Sequence, residues 1–323
     1  MSFRIGLAGL CTSHPDSWIP IIREYAAAGL FDAEITAAWD SGETRPAGYA
    51  EEYCAKMNIP HAVKNMADLL PLTDGVIVHT ANWDKHIEQA RPFVQAGKAV
   101  CIDKPIAGNL PDAVQFLNWV KRGYRVTGGS ALRYFKPAAD FLAVLEEKRG
   151  KVYTAYAVTG TDDFNYGIHG YAILASVMGP GIVSAQYVGH SNQKQILIKW
   201  KDGRTGILTA GKTAWLPFTM TVTTDRQVVQ MKAEESVYRA MIHDVFPYFT
   251  GKADVPPIPS AELIEPELAA MAARVSWLNN GQKVHLTDLR QDDPGFDGTQ
   301  FALEYRNSRT CSMNFEETEK WVK

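Results

Sequence analysis

The sequence predicts an α/β chain in which a doubly wound parallel sheet is followed by an α+β half built on a large, open, mostly antiparallel sheet. Two observations carry this reading. Up to about residue 125, short apolar runs alternate with longer stretches of helical periodicity, the pattern of a parallel sheet covered on both faces. From Lys151 onward, runs rich in β-branched and aromatic residues follow one another without helices between them, as in an antiparallel sheet. The change of rhythm falls near Tyr124–Leu132 and divides the chain into residues 1–125 and 126–323.

In the first part the predicted strands are Phe3–Ala8, Glu34–Trp39, Gly75–Thr80 and Ala99–Asp103. Between them, Trp18–Gly29 carries Ile19, Ile22 and Ala26 at helical spacing and closes on a glycine, and Lys85–Gly97 does the same. In the second part the predicted strands are Val152–Thr159, Val183–His190, Gln195–Trp200, Thr205–Ala210, Thr219–Thr224 and Val228–Met231, with turn signals such as Asp202-Gly203 between them. Helices return at Val237–Thr250 and Ala261–Asn279. The last forty residues, rich in Asp and Gly around Asp292–Gly298, show no assignable pattern.

Composition narrows the function. Among 323 residues, 33 Lys and Arg against 36 Asp and Glu give a net charge of −3, with no basic block longer than two, so no footprint for nucleic acid or an anionic membrane is present. A small molecule is the expected partner. The cysteines Cys11, Cys54, Cys101 and Cys311 form no CxxC pair, which argues against a zinc ribbon or a disulfide framework. With no export signal and no apolar run of about 18 residues, a cytoplasmic protein is expected. The histidines His14, His61, His79, His86, His190, His243 and His285 show no HxxxH or HExxH spacing, so no metal site is expected.

A dinucleotide site needs a glycine where the first strand turns into its helix, because the backbone must approach the pyrophosphate and offer it the helix N-terminal amides. Gly9 stands there, although Cys11 and His14 replace the second and third glycines of the G-x-G-x-x-G fingerprint, leaving the hydroxyls of Thr12 and Ser13 as phosphate donors. Asp40, at the end of the second strand, is positioned for the ribose hydroxyls and favours NAD over NADP, since a carboxylate repels a 2′-phosphate.

Farther on, Thr80-Ala81-Asn82 leads to His86, and Ala96–Val100 leads into Asp103-Lys104-Pro105. The run from Asp74 to Pro105 resembles the glucose-fructose oxidoreductase / inositol dehydrogenase / MocA (Gfo/Idh/MocA) family, whose corresponding stretch ends in Glu-Lys-Pro; Asp103 replaces the Glu and keeps its charge. Ser130-Ala131-Leu132-Arg133-Tyr134 is similar to the family's segment entering the second domain. The resemblance implies a Rossmann domain with NAD bound along Gly9, Thr12, Ser13, His14, Asp40, Thr80, Asn82, His86, Asp103, Lys104 and Pro105, and a cis Lys104-Pro105 bond that aims the lysine. It also implies a catalytic pair of Lys104 and His169, with Tyr166 sharing proton transfer, and a substrate held by Lys104, Arg133, Asn165, Tyr166 and His169. The family usually has an aspartate four residues before that histidine. Asn165 stands there and can orient an imidazole, but lacks the charge that would stabilise imidazolium.

Chemically, alcohol oxidation needs one base and a well-held substrate while hydride leaves to nicotinamide, and no metal is obligatory. Lys104 falls beyond the carboxyl end of a strand, where open α/β sheets bind ligands. Free lysine titrates near ~10.4, and desolvation beside a cationic ring makes it a usable base. The expected function is therefore an NAD-dependent oxidoreductase of a sugar, inositol or related polyol or keto compound. The alternative is a sensor of the same fold that binds NAD(P) without turnover. Trp200 and Trp215 are candidates for stacking on a sugar ring or, more simply, for the core or an interface. The uncovered face of the second sheet, with Tyr187, Ile198 and Trp200 to fill it, suggests a homo-oligomer, dimer or tetramer.

Overall fold

The structure, a computed structural model, describes residues 1–189, 193–233 and 237–319, with side chains as far as residue 308. The first sheet is built from β1 (Phe3–Ala8), α1 (His14–Ala27), β2 (Ala33–Trp39), α2 (Tyr49–Met57), β3 (His61–Ala62), β4 (Gly75–Val78), α3 (His86–Gln95), β5 (Ala99–Ile102), α4 (Leu110–Lys121) and β6 (Val126–Gly128). Its six strands are all parallel in the order β3-β2-β1-β4-β5-β6, the doubly wound arrangement expected. Every residue of β4 and β5 is buried, because helices cover both faces; that is why these strands read as unbroken apolar runs. The first helix starts at His14, four residues before its apolar pattern does, with a proline in its first turn and Asp16 complementing the N-terminal dipole. Two short strands, β3 and β6, lie below the length at which periodicity shows.

The second part begins with α5 (Lys136–Ala143) and α6 (Glu146–Arg149). It continues through β7 (Val152–Val158), α7 (Gly167–Met178), β8 (Ile182–Tyr187), β9 (Gln193–Trp200), β10 (Thr205–Gly211), β11 (Thr219–Thr224), β12 (Val228–Lys232), α8 (Val237–Phe249), α9 (Ser260–Leu263), α10 (Glu265–Leu278), β13 (Val284–His285) and α11 (Gly298–Glu319). Its sheet runs β12-β11-β7-β10-β9-β8-β13, antiparallel except for the parallel pair β7 and β10. His190, the predicted end of β8, lies outside the described residues. The predicted helix Ala261–Asn279 is split in two ahead of Pro266, which sits in the first turn of α10.

The helices α7 and α10 cover the inner face of this sheet. Trp200 and Ile198 are buried in the chain's own core, with the Trp200 indole donating to Gly179 O at 2.9 Å, so they do not lie on the open outer face as expected. Trp215 is 60% exposed. α8 instead returns to the first sheet: Met241, Ile242, Val245, Phe246 and Phe249 join Trp18, Ile22 and Phe31 in a single core. No helix among the described residues is long and apolar enough to cross a membrane.

Candidate active site

The carboxyl ends of β1, β4 and β5 meet the start of α7 and the first turns of α11 around a small cavity of about 60 Å³. Its lining includes Thr12, Ser13 and His14 from the first turn, Thr80 from beyond β4, Lys104 from beyond β5, Asn165 and Tyr166 before α7, and Phe301 and Tyr305 of α11. Lys104 is aimed by a cis Lys104-Pro105 peptide, the geometry the family resemblance implies. Its Nζ donates to Asn165 Oδ1 at 2.9 Å and Asn165 O at 3.1 Å, and stands 5.5 Å from the Tyr166 ring centre. Burial lowers the Lys104 pKa, partly offset by the charges of Asp103 and Asp162. Burial also raises the Tyr166 phenol, which is therefore a hydrogen-bond donor at neutral pH.

Asn165 thus orients Lys104 rather than His169. The partner of His169 is Ser130, whose Oγ lies 2.7 Å from the imidazole Nδ1 while accepting the Leu132 amide at 3.1 Å. His169 is buried inside the first turn of α7. Burial, reinforced by the charge of Lys104, holds it well below the usual imidazole range, so the ring is neutral. It does not line the cavity. Phe218 packs against it at 4.9 Å.

Three further expectations change. Arg133 is buried with its guanidinium 3.9 Å from Glu262 and is not among the residues that line the cavity. Asn82 is used by the protein itself: its Oδ1 accepts the Asp84 amide at 3.1 Å and its Nδ2 donates to Thr299 Oγ1 at 3.1 Å. His86 is completely buried, its two ring nitrogens 2.8 Å from Pro105 O and 2.9 Å from Thr80 O. It ties the turn after β4 to the turn after β5 and so positions Thr80 and Lys104. Thr80 itself donates to Gln89 Oε1 at 2.7 Å.

The nucleotide end keeps the features a dinucleotide needs. Gly9 has φ +106°, and a Cβ there would stand 2.7 Å from Thr80 N, so no other residue fits this turn. Asp40 Oδ1 accepts the Leu10 amide at 3.0 Å and the Cys11 thiol at 3.9 Å, while Oδ2 accepts the Gly42 amide at 2.9 Å, which leaves Oδ2 a lone pair for a ribose hydroxyl. Beside Asp40 opens a cavity of about 290 Å³ bordered by Gly42, Gly48, Tyr49, Val63 and Lys64. Arg45 turns away, its Nε donating to Leu10 O at 3.2 Å and its guanidinium over Tyr49. Gly9, Asp40 and the hydroxyls of Thr12 and Ser13 therefore fit a dinucleotide, whereas Cys11 is buried against Ala81 and Ala302.

The sequence reading missed several residues of the site. Asp162 accepts the amides of Phe164 and Tyr166, both at 2.9 Å, and so shapes the loop that presents Asn165; its spacing as an Asx turn was a usable signal. Ser130 and His79 have no local signature. Phe301 and Tyr305 come from the segment whose pattern could not be assigned.

Comparison with known proteins agrees with this architecture. Residues 3–127 match the family model described as oxidoreductase family, NAD-binding Rossmann fold (GFO_IDH_MocA). The curated protein named "Putative oxidoreductase YceM", from Salmonella typhimurium, is 31% identical over 112 residues, covering 35% of this chain and 33% of that protein, so the match spans about a third of the relative's length. An NAD binding oxidoreductase from Klebsiella pneumoniae superposes with a TM-score of 0.72 at 16% identity, covering 88% of this chain and 99% of the other. A myo-inositol dehydrogenase from Lactobacillus casei, solved in complex with NAD(H) and myo-inositol, gives 0.71 at 15% identity over 88% and 97%. These likenesses extend the shared fold over both sheets. Within this shared fold, the N-terminal part of the chain, residues 3–127, matches the NAD-binding Rossmann domain of the Gfo/Idh/MocA oxidoreductase family.

Proposed function

We propose that the protein is an NAD-dependent oxidoreductase acting on a CH–OH group of a sugar, inositol or related polyol, or on the corresponding keto compound. The observation that carries the reading is Lys104. It is a lysine with a lowered pKa on the wall of a cavity at the carboxyl ends of the strands, fixed by two hydrogen bonds from its Nζ to Asn165. NAD, held along Gly9, Thr12, Ser13 and Asp40, would supply the hydride acceptor. The chain's own task is to hold the reacting oxygen and manage its proton: Lys104 grips the oxygen, Tyr166 donates to a neighbouring one, and Phe301 and Tyr305 keep water out of the cavity. The solved relative with myo-inositol supports the polyol class.

One observation favours the second reading, a sensor that binds the dinucleotide without turnover. Cys11 and Ala81 are packed under Ala302 of α11, so the turn that would meet the pyrophosphate is partly covered. A screen of polyols and their ketones, following the near-ultraviolet absorbance of reduced nicotinamide, separates the two. Turnover that Lys104→Ala abolishes is expected. Dinucleotide binding with no turnover on any of them would favour the sensor.

A further inference from the structure

Three side chains from three elements converge beneath the cavity. His14 opens α1, His79 follows β4 and Asp103 follows β5. Asp103 Oδ2 lies 2.5 Å from His14 Nδ1 and 3.0 Å from His79 Nδ1, and Asp103 Oδ1 accepts the Lys104 amide at 2.7 Å. Burial alone would raise this carboxyl, but the two imidazoles outweigh it and hold Asp103 well below the usual carboxylate range. An ionised carboxylate only accepts, so both Nδ1 atoms carry hydrogen. His79 is wholly buried, and burial keeps its ring neutral; its Nε2 has no partner among the described residues.

The three groups lie close enough to suggest a cation, their ligand atoms all within 4.8 Å. Their geometry argues otherwise. A tetrahedral ion about 2.0–2.2 Å from each ligand needs ligand atoms roughly 3.3 Å apart, whereas here the oxygen sits between the two nitrogens at hydrogen-bond distance from both. The cluster is a hydrogen-bond chain that ends at the cavity. His14 is the one imidazole among the lining residues, and its Nε2 makes no hydrogen bond to a described residue. Its ring is clamped parallel to Trp18, with centroids 6.3 Å apart, and against Tyr238 of α8 at 5.2 Å.

Resting on the oxidoreductase reading above, we propose that His14 is the proton-handling residue of the site, with Asp103 as the positioning residue that fixes its tautomer and Lys104 as the group that grips the reacting oxygen. In the oxidative direction the substrate carbon gives its hydride to nicotinamide. The hydroxyl proton passes to Nε2 of His14, the C–O bond becomes C=O, and the proton then leaves through the cavity to water; reduction runs the same path backwards. Asp103, across the ring at Nδ1, compensates the charge that develops on the imidazole, the arrangement a carboxylate-oriented histidine uses. The other titratable groups facing this ring are Lys104 beside Asp103, His79 at the end of β4, His169 and Tyr166 around α7, and Tyr238 of α8.

Two measurements test this. In the protein without ligands, ¹⁵N imidazole NMR assigned through His14→Gln should find His14 at neutral pH with hydrogen on Nδ1, and Asp103→Asn should change that pattern. Finding the hydrogen on Nε2 alone would overturn the proposal. In steady-state kinetics, His14→Gln should lower kcat ~10²-fold or more with dinucleotide affinity nearly unchanged, the scale of general acid–base catalysis. Asp103→Asn should move the pH profile as well as the rate; should that buried variant fail to fold, His14→Gln at the cavity wall still decides the matter. Wild-type turnover that His14→Gln leaves within about threefold would refute the role of His14 alone. A wild type inactive on all polyols and ketones with NAD and with NADP would refute the oxidoreductase reading, and this proton transfer with it.

Discussion

Glu267 gives the sharpest physical test of the fold. Only 1% of this residue of α10 is exposed; its Oε1 accepts the Ile106 amide at 3.2 Å, just beyond Lys104-Pro105, while Oε2 has no partner among the described residues. Burial raises its carboxyl from 4.5 to about 7, more than the Ile106 hydrogen bond pulls it down. Because the folded pKa lies above the unfolded one, the folded state holds this proton more tightly. The associated stability is complete below pH 4.5 and is lost as pH rises towards 7. A gap of about 2.5 pH units at about 1.36 kcal/mol each amounts to about 3 kcal/mol. Glu267→Gln keeps an oxygen for Ile106 and cannot ionise, so it should match the wild type in acid and exceed it by about 3 kcal/mol at about pH 8. With an unfolding entropy of about 2.1 cal/mol/K per residue, that corresponds to about 5 °C in Tm. Thermal melts of both proteins from about pH 5 to about pH 8 provide the assay. Parallel pH dependence of the two, or a Gln variant less stable at about pH 8, would refute a buried, unpaired carboxyl at this position.

Lys104→Ala should lower kcat ~10²-fold or more while dinucleotide affinity changes little, and Lys104→Arg should rescue poorly because a planar guanidinium does not reproduce the compact ammonium between Asn165 and the reacting oxygen; undiminished turnover in Lys104→Ala would remove Lys104 from the chemistry. Calorimetric titration should show NAD binding more tightly than NADP. Because Lys64 borders the same cavity as Asp40, Asp40→Ala should weaken NAD and narrow the difference, and tighter NADP binding by the wild type would contradict the role given to Asp40. The outer face of the seven-stranded sheet sets Leu197, Ile207 and Tyr156 side by side across β9, β10 and β7, none of them fully buried. We therefore expect a dimer or tetramer in solution, and light scattering that returns about 36 kDa at micromolar concentration, the 35.8 kDa monomer, would contradict it.

What the sequence determined by itself was local. Burial on both faces makes β4 and β5 unbroken apolar runs, and the backbone at Gly9 excludes a Cβ; Asp103-Lys104-Pro105 lies within three consecutive residues. Each of these is written in neighbouring positions, where periodicity and residue type suffice. The tertiary structure decided who meets whom. Asn165 reaches Lys104 across 61 residues, Ser130 reaches His169 across 39, Asp103 reaches His14 across 89, and Thr299 reaches Asn82 across 217. It also returned α8 to the first core and brought α11 over the cavity. A hydrogen bond acts over about 3 Å and leaves no trace in the spacing of residues that far apart along the chain. Only the packing of the two sheets and their helices brings such partners within reach, and it is this packing that gave Asn165 to the lysine and Ser130 to the histidine.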